Sequence, residues 1–304
     1  MVAFVFPGQG AQYPGMGKEL ADNFPVARQV FEEANDALGF DIASLCFNGP
    51  EEALKLTTNT QPAILTVSVA ALKVVQAETG LVPDYAAGHS LGEYSALVCA
   101  GALVFADAVC IVRQRGSFMQ EAVPVGLGAM AAIMGLDGEA LQEVCRQAAQ
   151  GEIVAPANFN SPGQVVIAGH ATAVERAMEL AKGQGAKRAL PLPVSAPFHC
   201  SLMVPAGERL AKILTGVNVH PMTFPVVTNV EAAPNGEPSR VKGLLVAQVS
   251  APVRWDESVL KMSALGVDRY IEIGPGKVLS GLIKRIVKGS SVANIEDLSG
   301  LEGL

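Results

Sequence analysis

The run Gly88-His89-Ser90-Leu91-Gly92 restricts this 304-residue chain more than any other stretch. It fits the pattern G-x-S-x-G, follows the short apolar segment Tyr85-Ala86-Ala87-Gly88 and opens the helical segment Leu91–Cys99. A strand, a tight glycine turn and a helix in that order make a nucleophile elbow. The two glycines let strand and helix approach closely. The turn then lifts the serine hydroxyl clear of the backbone at the carboxyl end of a sheet. The free N–H groups and partial positive charge of the helix N-terminus lie beneath it, where an oxyanion would develop. By position, Leu91 would supply one of those N–H groups. A serine in an ordinary glycine turn matches the five letters without this flanking context.

The rest of the chain supplies the sheet that an elbow needs. Val2–Phe6 is a buried strand running into Pro7-Gly8-Gln9-Gly10. Helical patterns follow at Pro14–Ala21, Val26–Leu38, Ile42–Cys46, Glu51–Leu56 and Thr60–Glu78, and another at Phe105–Ala122. This alternation predicts an α/β fold with a parallel sheet, a large α/β-hydrolase-like domain. Beyond Pro124 the texture changes. Strands at Met130–Met134, Ile153–Asn158, Gln164–Gly169 and Lys187–Leu192 interleave with helices at Asp137–Gln150 and Ala171–Gln184. The order β-α-β-β-α-β predicts an inserted small ferredoxin-like domain over 125–195, flanked by a large domain formed from 1–124 and 196–304. Helix Ala206–Leu214, strand Phe224–Thr228, helix Val241–Gln248, strand Arg269–Ile273 and helix Val278–Val287 complete the large domain. The tail after Ser290 is expected to be loosely held.

Charge and cysteines exclude several functions. The net charge of −7 argues against a general binder of nucleic acid or of membrane surfaces. The mean hydropathy of +0.33 rests largely on Ala and Val, which suit helices packed on a buried parallel sheet. The longest apolar stretch, Ala96–Val112, contains Gly101 and Asp107 and reads as two buried helices rather than a membrane span. The residues after Met1 read as a first strand without a basic leader, so a cytoplasmic protein is expected. Cys46, Cys99, Cys110, Cys145 and Cys200 are odd in number and none has metal-site spacing, so reduced buried thiols and no metal are expected. Cys200 adjoins His199, but neighbours in an extended chain point opposite ways, which disfavours it as a nucleophile.

An activated serine needs a base, and the chain holds four histidines. His89 neighbours Ser90, so its ring should point away and pack beneath the elbow. His170 ends a small-domain strand and reads as surface. His220 precedes Pro221 in a loop. His199 lies in Ser195-Ala196-Pro197-Phe198-His199-Cys200-Ser201, where the chain re-enters the large domain, and sites commonly form at such boundaries. Elimination favours His199.

Several spaced motifs carry a family resemblance. Phe6-Pro7-Gly8-Gln9-Gly10, Gly88-His89-Ser90-Leu91-Gly92-Glu93-Tyr94, Arg115-Gly116-Ser117-Phe118-Met119-Gln120, Pro197-Phe198-His199 and Ile273-Gly274-Pro275-Gly276 occur in that order. From Met1 to about Val287 the chain resembles the acyl-carrier-protein S-malonyltransferases. The resemblance implies an acyltransferase that moves a malonyl group from malonyl-CoA to an acyl carrier protein in fatty-acid synthesis, with no cofactor. It implies Ser90 as the acylated nucleophile and His199 as its base. Gln9 and Leu91 would form the oxyanion hole, Arg115 would bind the malonyl carboxylate, and the Gln248 backbone carbonyl would orient His199. A bidentate guanidinium is the natural reader of the one carboxylate that separates malonyl from acetyl. A surface i,i+4 salt bridge is the plain alternative for Arg115, and an ordinary turn for Gln9. A bulky Phe198 should narrow the pocket and disfavour methylmalonyl.

An acidic carrier would need a local basic patch on this acidic molecule. Lys187 with Arg188, and Lys284, Arg285 and Lys288, are the candidates, against the reading that they are ordinary solvated charges. A monomer is expected. Three other functions stand beside this one: a serine esterase or thioesterase, an acyltransferase serving a polyketide synthase, and a non-catalytic carrier-binding module. An α/β-hydrolase usually places its acid between Ser and His; Asp107 and Asp137 fall there, but neither sits in a recognisable loop after a strand.

Overall fold

A computed structural model describes residues 1–194 and 196–303. Ser195, where the expected boundary between the two domains falls, lies outside the described residues. The described strands are β1 (Val2–Phe6), β2 (Tyr85–Gly88), β3 (Gly128–Met134), β4 (Val154–Ser161), β5 (Gln164–His170), β6 (Arg188–Pro191), β7 (Val226–Val227), β8 (Pro234–Asn235), β9 (Val253–Arg254), β10 (Arg269–Ile273) and β11 (Ser291–Ile295). They form two sheets in a mixed α/β fold.

The first sheet runs β11-β10-β1-β2-β7-β8. All its pairings are parallel except the last, β7 with β8. Parallel strands are covered on both faces, which is why β1 and β2 read as unbroken apolar runs rather than alternating ones. The strand period of two divides β1 between two cores. Phe4 and Phe6 join the cluster built on the long helix Thr57–Thr79. Ala3 and Val5 join Trp255, Val259 and Tyr270 on the opposite face. Because β10, β1 and β2 are parallel, their carboxyl ends lie side by side. Three turns therefore meet at one edge: Gly274-Pro275-Gly276, Pro7-Gly8-Gln9-Gly10 and His89-Ser90.

The second sheet runs β6-β3-β5-β4-β9. Its first four strands are antiparallel. Helices Gly138–Ala149 and Ala171–Gly183 cover one face through Leu141, Val144, Val174 and Ala177. The other face turns Met130, Ala132, Val166 and Ala168 into the main core. Strand β9 comes from the segment assigned by sequence to the large domain, and it pairs parallel with β4. Two residues carry no periodicity, so this strand was invisible to pattern. No helix among the described residues is long and apolar enough to cross a membrane.

The tail departs from expectation. Rather than lying loose, β11 extends the first sheet in parallel register with β10 from Arg269↔Ser291 to Ile273↔Ile295. Glu296 beyond it accepts from Gly276 N (2.8 Å) and Tyr13 Oη (3.1 Å), and Asp297 caps the last short helix through Gly300 N (3.0 Å). The expected helix at Pro14–Ala21 is also displaced, to Lys18–Asn23.

Two glycines make the elbow possible. A Cβ built on Gly88 would stand 1.9 Å from the Gly92 carbonyl carbon, and one on Gly92 would stand 2.1 Å from the Phe6 carbonyl oxygen. Both obstacles are backbone, so neither can swing aside. Gly92→Ala should push the elbow helix off β1 and lower unfolding stability in urea by about 2 kcal/mol or more. A variant as stable as the parent would show that the close approach is dispensable.

Candidate active site

Ser90 sits at φ 51°, in the left-handed region that β-carbons resist. Asn229 holds it there from both sides. Asn229 Oδ1 accepts from Ser90 N (2.7 Å), and Asn229 Nδ2 donates to Gly88 O (2.7 Å). The turn raises the hydroxyl toward His199, and Ser90 Oγ lies 2.7 Å from His199 Nε2. His199 is itself at φ 60°. Its Nδ1 lies 2.9 Å from Gln248 O and 3.1 Å from Ala251 O. Carbonyls only accept, so Nδ1 carries the proton, and the lone pair on Nε2 faces the hydroxyl. Among the described residues no carboxylate bonds the ring. Burial first and the Arg115 charge second push the imidazole pKa down to about 3.

Arg115 belongs to the helix Phe105–Glu121 but is only 1% exposed. The surface salt-bridge reading is thereby excluded. Its Nη1 donates to Gln61 Oε1 (2.7 Å), and its Nη2 donates to Gln248 Oε1 (2.9 Å) and to Ser90 Oγ (3.1 Å). The Nε has no hydrogen-bond partner among the described residues. Burial lowers the guanidinium's own pKa, and Tyr94 and Glu93 work against that. Gln9, Gln61, Arg115, Met119, Phe198 and the Ser90–His199 pair line one cavity of about 110 Å³. That space suits a short acyl group, and its wall carries a cation within hydrogen-bond reach of the nucleophile.

The remaining expected residues fall around this cavity or outside it. Gln9 and Leu91 line it beside Ser90. No acceptor among the described residues meets the backbone N–H of either, while Gln9 Nε2 is occupied by Thr57 Oγ1 at 3.2 Å. Gln248 enters through its carbonyl and also through its side chain, whose Nε2 donates to Ser90 O (3.0 Å) and Glu93 Oε2 (2.8 Å). His89 turns away from the hydroxyl: its Nε2 lies 2.8 Å from Asn160 Oδ1, and its ring is 5.8 Å from that of Trp255. His170 Nδ1 accepts from Ile153 N (2.9 Å) in the small sheet, and His220 is exposed. Cys200 is buried and donates to Pro197 O, and burial raises its thiol pKa to about 11. That argues against a reactive thiolate. Among the described residues no group of three or more His, Cys, Asp or Glu side chains could hold a metal ion.

Sequence reasoning missed Asn229, Gln61, Glu93 and the Ala251 carbonyl. Their contacts to the site span dozens to over a hundred positions, so no local spacing reveals them. The one available signal was Glu93 itself, an acid directly after a glycine elbow on a strongly apolar helix.

The His199 environment predicts its titration. A free imidazole protonates near pH ~6.5. With its pKa held near 3, this ring should stay neutral as the pH falls through the ordinary range, and it should remain a base throughout. An NMR titration of the His199 ring carbons checks this, and a midpoint at the ordinary imidazole value would contradict the sealed site.

Known proteins resemble this chain along nearly its whole length. The sequence profile described as "Acyl transferase domain" matches residues 3–300. The malonyl CoA-acyl carrier protein transacylase of Escherichia coli K12 is 52% identical over 299 residues, spanning 98% of this chain and 97% of that protein. An acyl carrier protein S-malonyltransferase from Vibrio cholerae superposes with a TM-score of 0.97 at 52% identity, covering 99% of each chain. A malonyl-transacylase solved in complex with a type II PKS acyl-carrier protein gives a TM-score of 0.97 at 52% identity, over 99% of this chain and 97% of that one. A profile match over nearly the whole length and relatives this similar show that the chain belongs to the acyl transferase family, among the malonyl CoA-acyl carrier protein transacylases.

Proposed function

We propose that this protein transfers the malonyl group of malonyl-CoA to the phosphopantetheine thiol of an acyl carrier protein, through an ester on Ser90. The observation that carries the reading is the buried guanidinium of Arg115 in the same small cavity as the Ser90–His199 pair. A cation sealed beside a nucleophile calls for a substrate with an anion a few bonds from its electrophilic carbon. Malonyl thioesters have that form, and acetyl thioesters do not.

In the first half-reaction the Ser90 hydroxyl gives its proton to His199 Nε2 as its oxygen attacks the thioester carbon. The N–H groups of Gln9 and Leu91 receive the oxyanion. The C–S bond breaks, and the departing coenzyme A sulfur takes the proton from Nε2. In the second half-reaction the carrier thiol gives its proton to Nε2 and attacks the ester, and Ser90 recovers its proton as it leaves. One site shared by two thiols gives ping-pong kinetics and needs no cofactor. The Gln248 and Ala251 carbonyls hold the tautomer without adding an anion beside the malonyl carboxylate. That carboxylate would also neutralise Arg115, the second cause of the depressed imidazole basicity, so the correct substrate strengthens its own base.

The same reading extends to the architecture and the partner. The small sheet's order β6-β3-β5-β4 with two helices on one face supports a ferredoxin-like domain over 125–195, and the elbow on a parallel sheet supports an α/β-hydrolase-like domain from 1–124 and 196–304. Arg285 reaches Gln164 (2.7 Å) on the small sheet, whose partner Met134 lies opposite Arg188. The two basic clusters therefore converge at one end of that sheet, a natural landing for an acidic carrier. The site assembles within a single copy and needs no second one, and the reading is of a monomer that acts in the cytoplasm in fatty-acid synthesis.

Intact-mass analysis after brief exposure to malonyl-CoA should show a malonyl adduct on the parent and none on Ser90→Ala. An adduct on that variant refutes the nucleophile. His199→Ala should slow acylation by roughly 10³-fold or more, and a near-normal rate would reassign the base. Arg115→Ala should reduce malonyl transfer far more than acetyl transfer. Equal losses on both would remove the carboxylate clamp.

A further inference from the structure

We propose that Glu93 is a positioning residue that sets the donor–acceptor polarity of the site, so that Gln248 presents its carbonyl to Arg115 and malonyl is selected over acetyl. The inference rests on the transferase reading above. Glu93 is 2% exposed, in the first turn of the elbow helix. One carboxylate oxygen, Oε2, accepts from both Asn229 N (3.0 Å) and Gln248 Nε2 (2.8 Å). Those two residues reach the nucleophile, the base and the cation. Asn229 fixes the Ser90 and Gly88 backbone, and Gln248 touches Ser90 O, Arg115 and, through its carbonyl, His199. A single buried oxygen thus ties the support of the nucleophile to the support of the base and the cation.

The polarity argument follows from chemistry. An ionised carboxylate only accepts, so together with the Ser90 carbonyl it turns the Gln248 NH₂ toward Glu93. The amide oxygen must then face the guanidinium, which only donates. A protonated or amide side chain at position 93 can donate instead. The Gln248 NH₂ then keeps only the Ser90 carbonyl (3.0 Å) as an obligate acceptor, so its orientation loosens, and turning over would set NH₂ against guanidinium and take one acceptor from a buried charge. Glu93 is also the buried anion that accompanies the buried Arg115 cation, linked to it through one amide.

Its surroundings allow the switch to be read. Arg115 from the helix Phe105–Glu121 and the neighbouring Tyr94 are the ionisable groups whose charges couple to it. On its other sides Leu97, Val226, Thr228, Asn235, Val241 and Leu244 are neutral. Burial outweighs the two hydrogen bonds and Arg115, and lifts the carboxyl pKa to about 7. A raised carboxyl pKa means that the ionised form is lost as pH falls through that value, well above the His199 titration.

The experiment measures kcat/KM for malonyl-CoA and acetyl-CoA across pH in the parent and in Glu93→Gln, with intact-mass detection of the acyl-enzyme. In the parent, the malonyl-to-acetyl ratio should fall as pH drops through about 7. In Glu93→Gln the ratio should be reduced about tenfold or more and be independent of pH there. A ratio in the parent that does not change as pH falls through that range, or one in the variant equal to the parent's, overturns the role. The parent profile needs no substitution, so it decides the matter even if the variant does not fold. Absence of any malonyl adduct on the parent would instead defeat the transferase reading, which separates the two failures.

Discussion

A guanidinium sealed from water is costly to keep, and this site is organised around one. Arg115 finds two amide oxygens and the Ser90 hydroxyl, yet its Nε stays unmet. Desolvating a cation without a full set of acceptors costs several kcal/mol, by order of magnitude. A folded chain keeps such a deficit only where the surroundings hold the cation firmly. Gln61, Gln248 and Tyr94 pack it from different helices. The same cation depresses the imidazole beside it. The resting site is therefore electrostatically incomplete, with one donor of the cation unmet and the imidazole depressed by the same charge.

Strain is arranged on the same plan. Ser90 and His199 both have left-handed backbone conformations, and each is held by hydrogen bonds from a distant segment: Ser90 by Asn229, His199 by the carbonyls of Gln248 and Ala251. Neither conformation would persist in a free loop. The large core supplies the rigidity, since β1 and β2 are buried on both faces and the elbow helix is fitted against β1 with no room for a methyl group.

The elbow was legible in sequence because everything it needs is local: an apolar strand, two glycines and a helix start within a dozen residues. The mixed α/β character was legible for the same reason, since periodicity reports each element by itself. Arg115 was not legible from pattern, because an arginine on an amphipathic helix reads as surface; only the motif resemblance pointed to it. Asn229 and Gln61 carry no local mark at all. The tail was misread because Ser291-Val292-Ala293-Asn294-Ile295 is too weakly apolar to announce a strand; β11 is an edge strand, largely half-buried, and owes its order to pairing with β10.

Strand β9 carries a consequence for anyone wishing to recombine such proteins. It begins two residues after Ala251, pairs with β4 of the small sheet, and Arg254 N donates to Asn229 O (3.1 Å). The carbonyls that aim the imidazole and the asparagine that braces the serine are thus pinned to the rim of the small sheet. A cassette cut at 125 and 195 would bring a foreign β4 against the resident β9. Grafting that module between relatives therefore demands that Val253–Arg254 travel with it, or the transplanted half will misalign a base it does not itself contain.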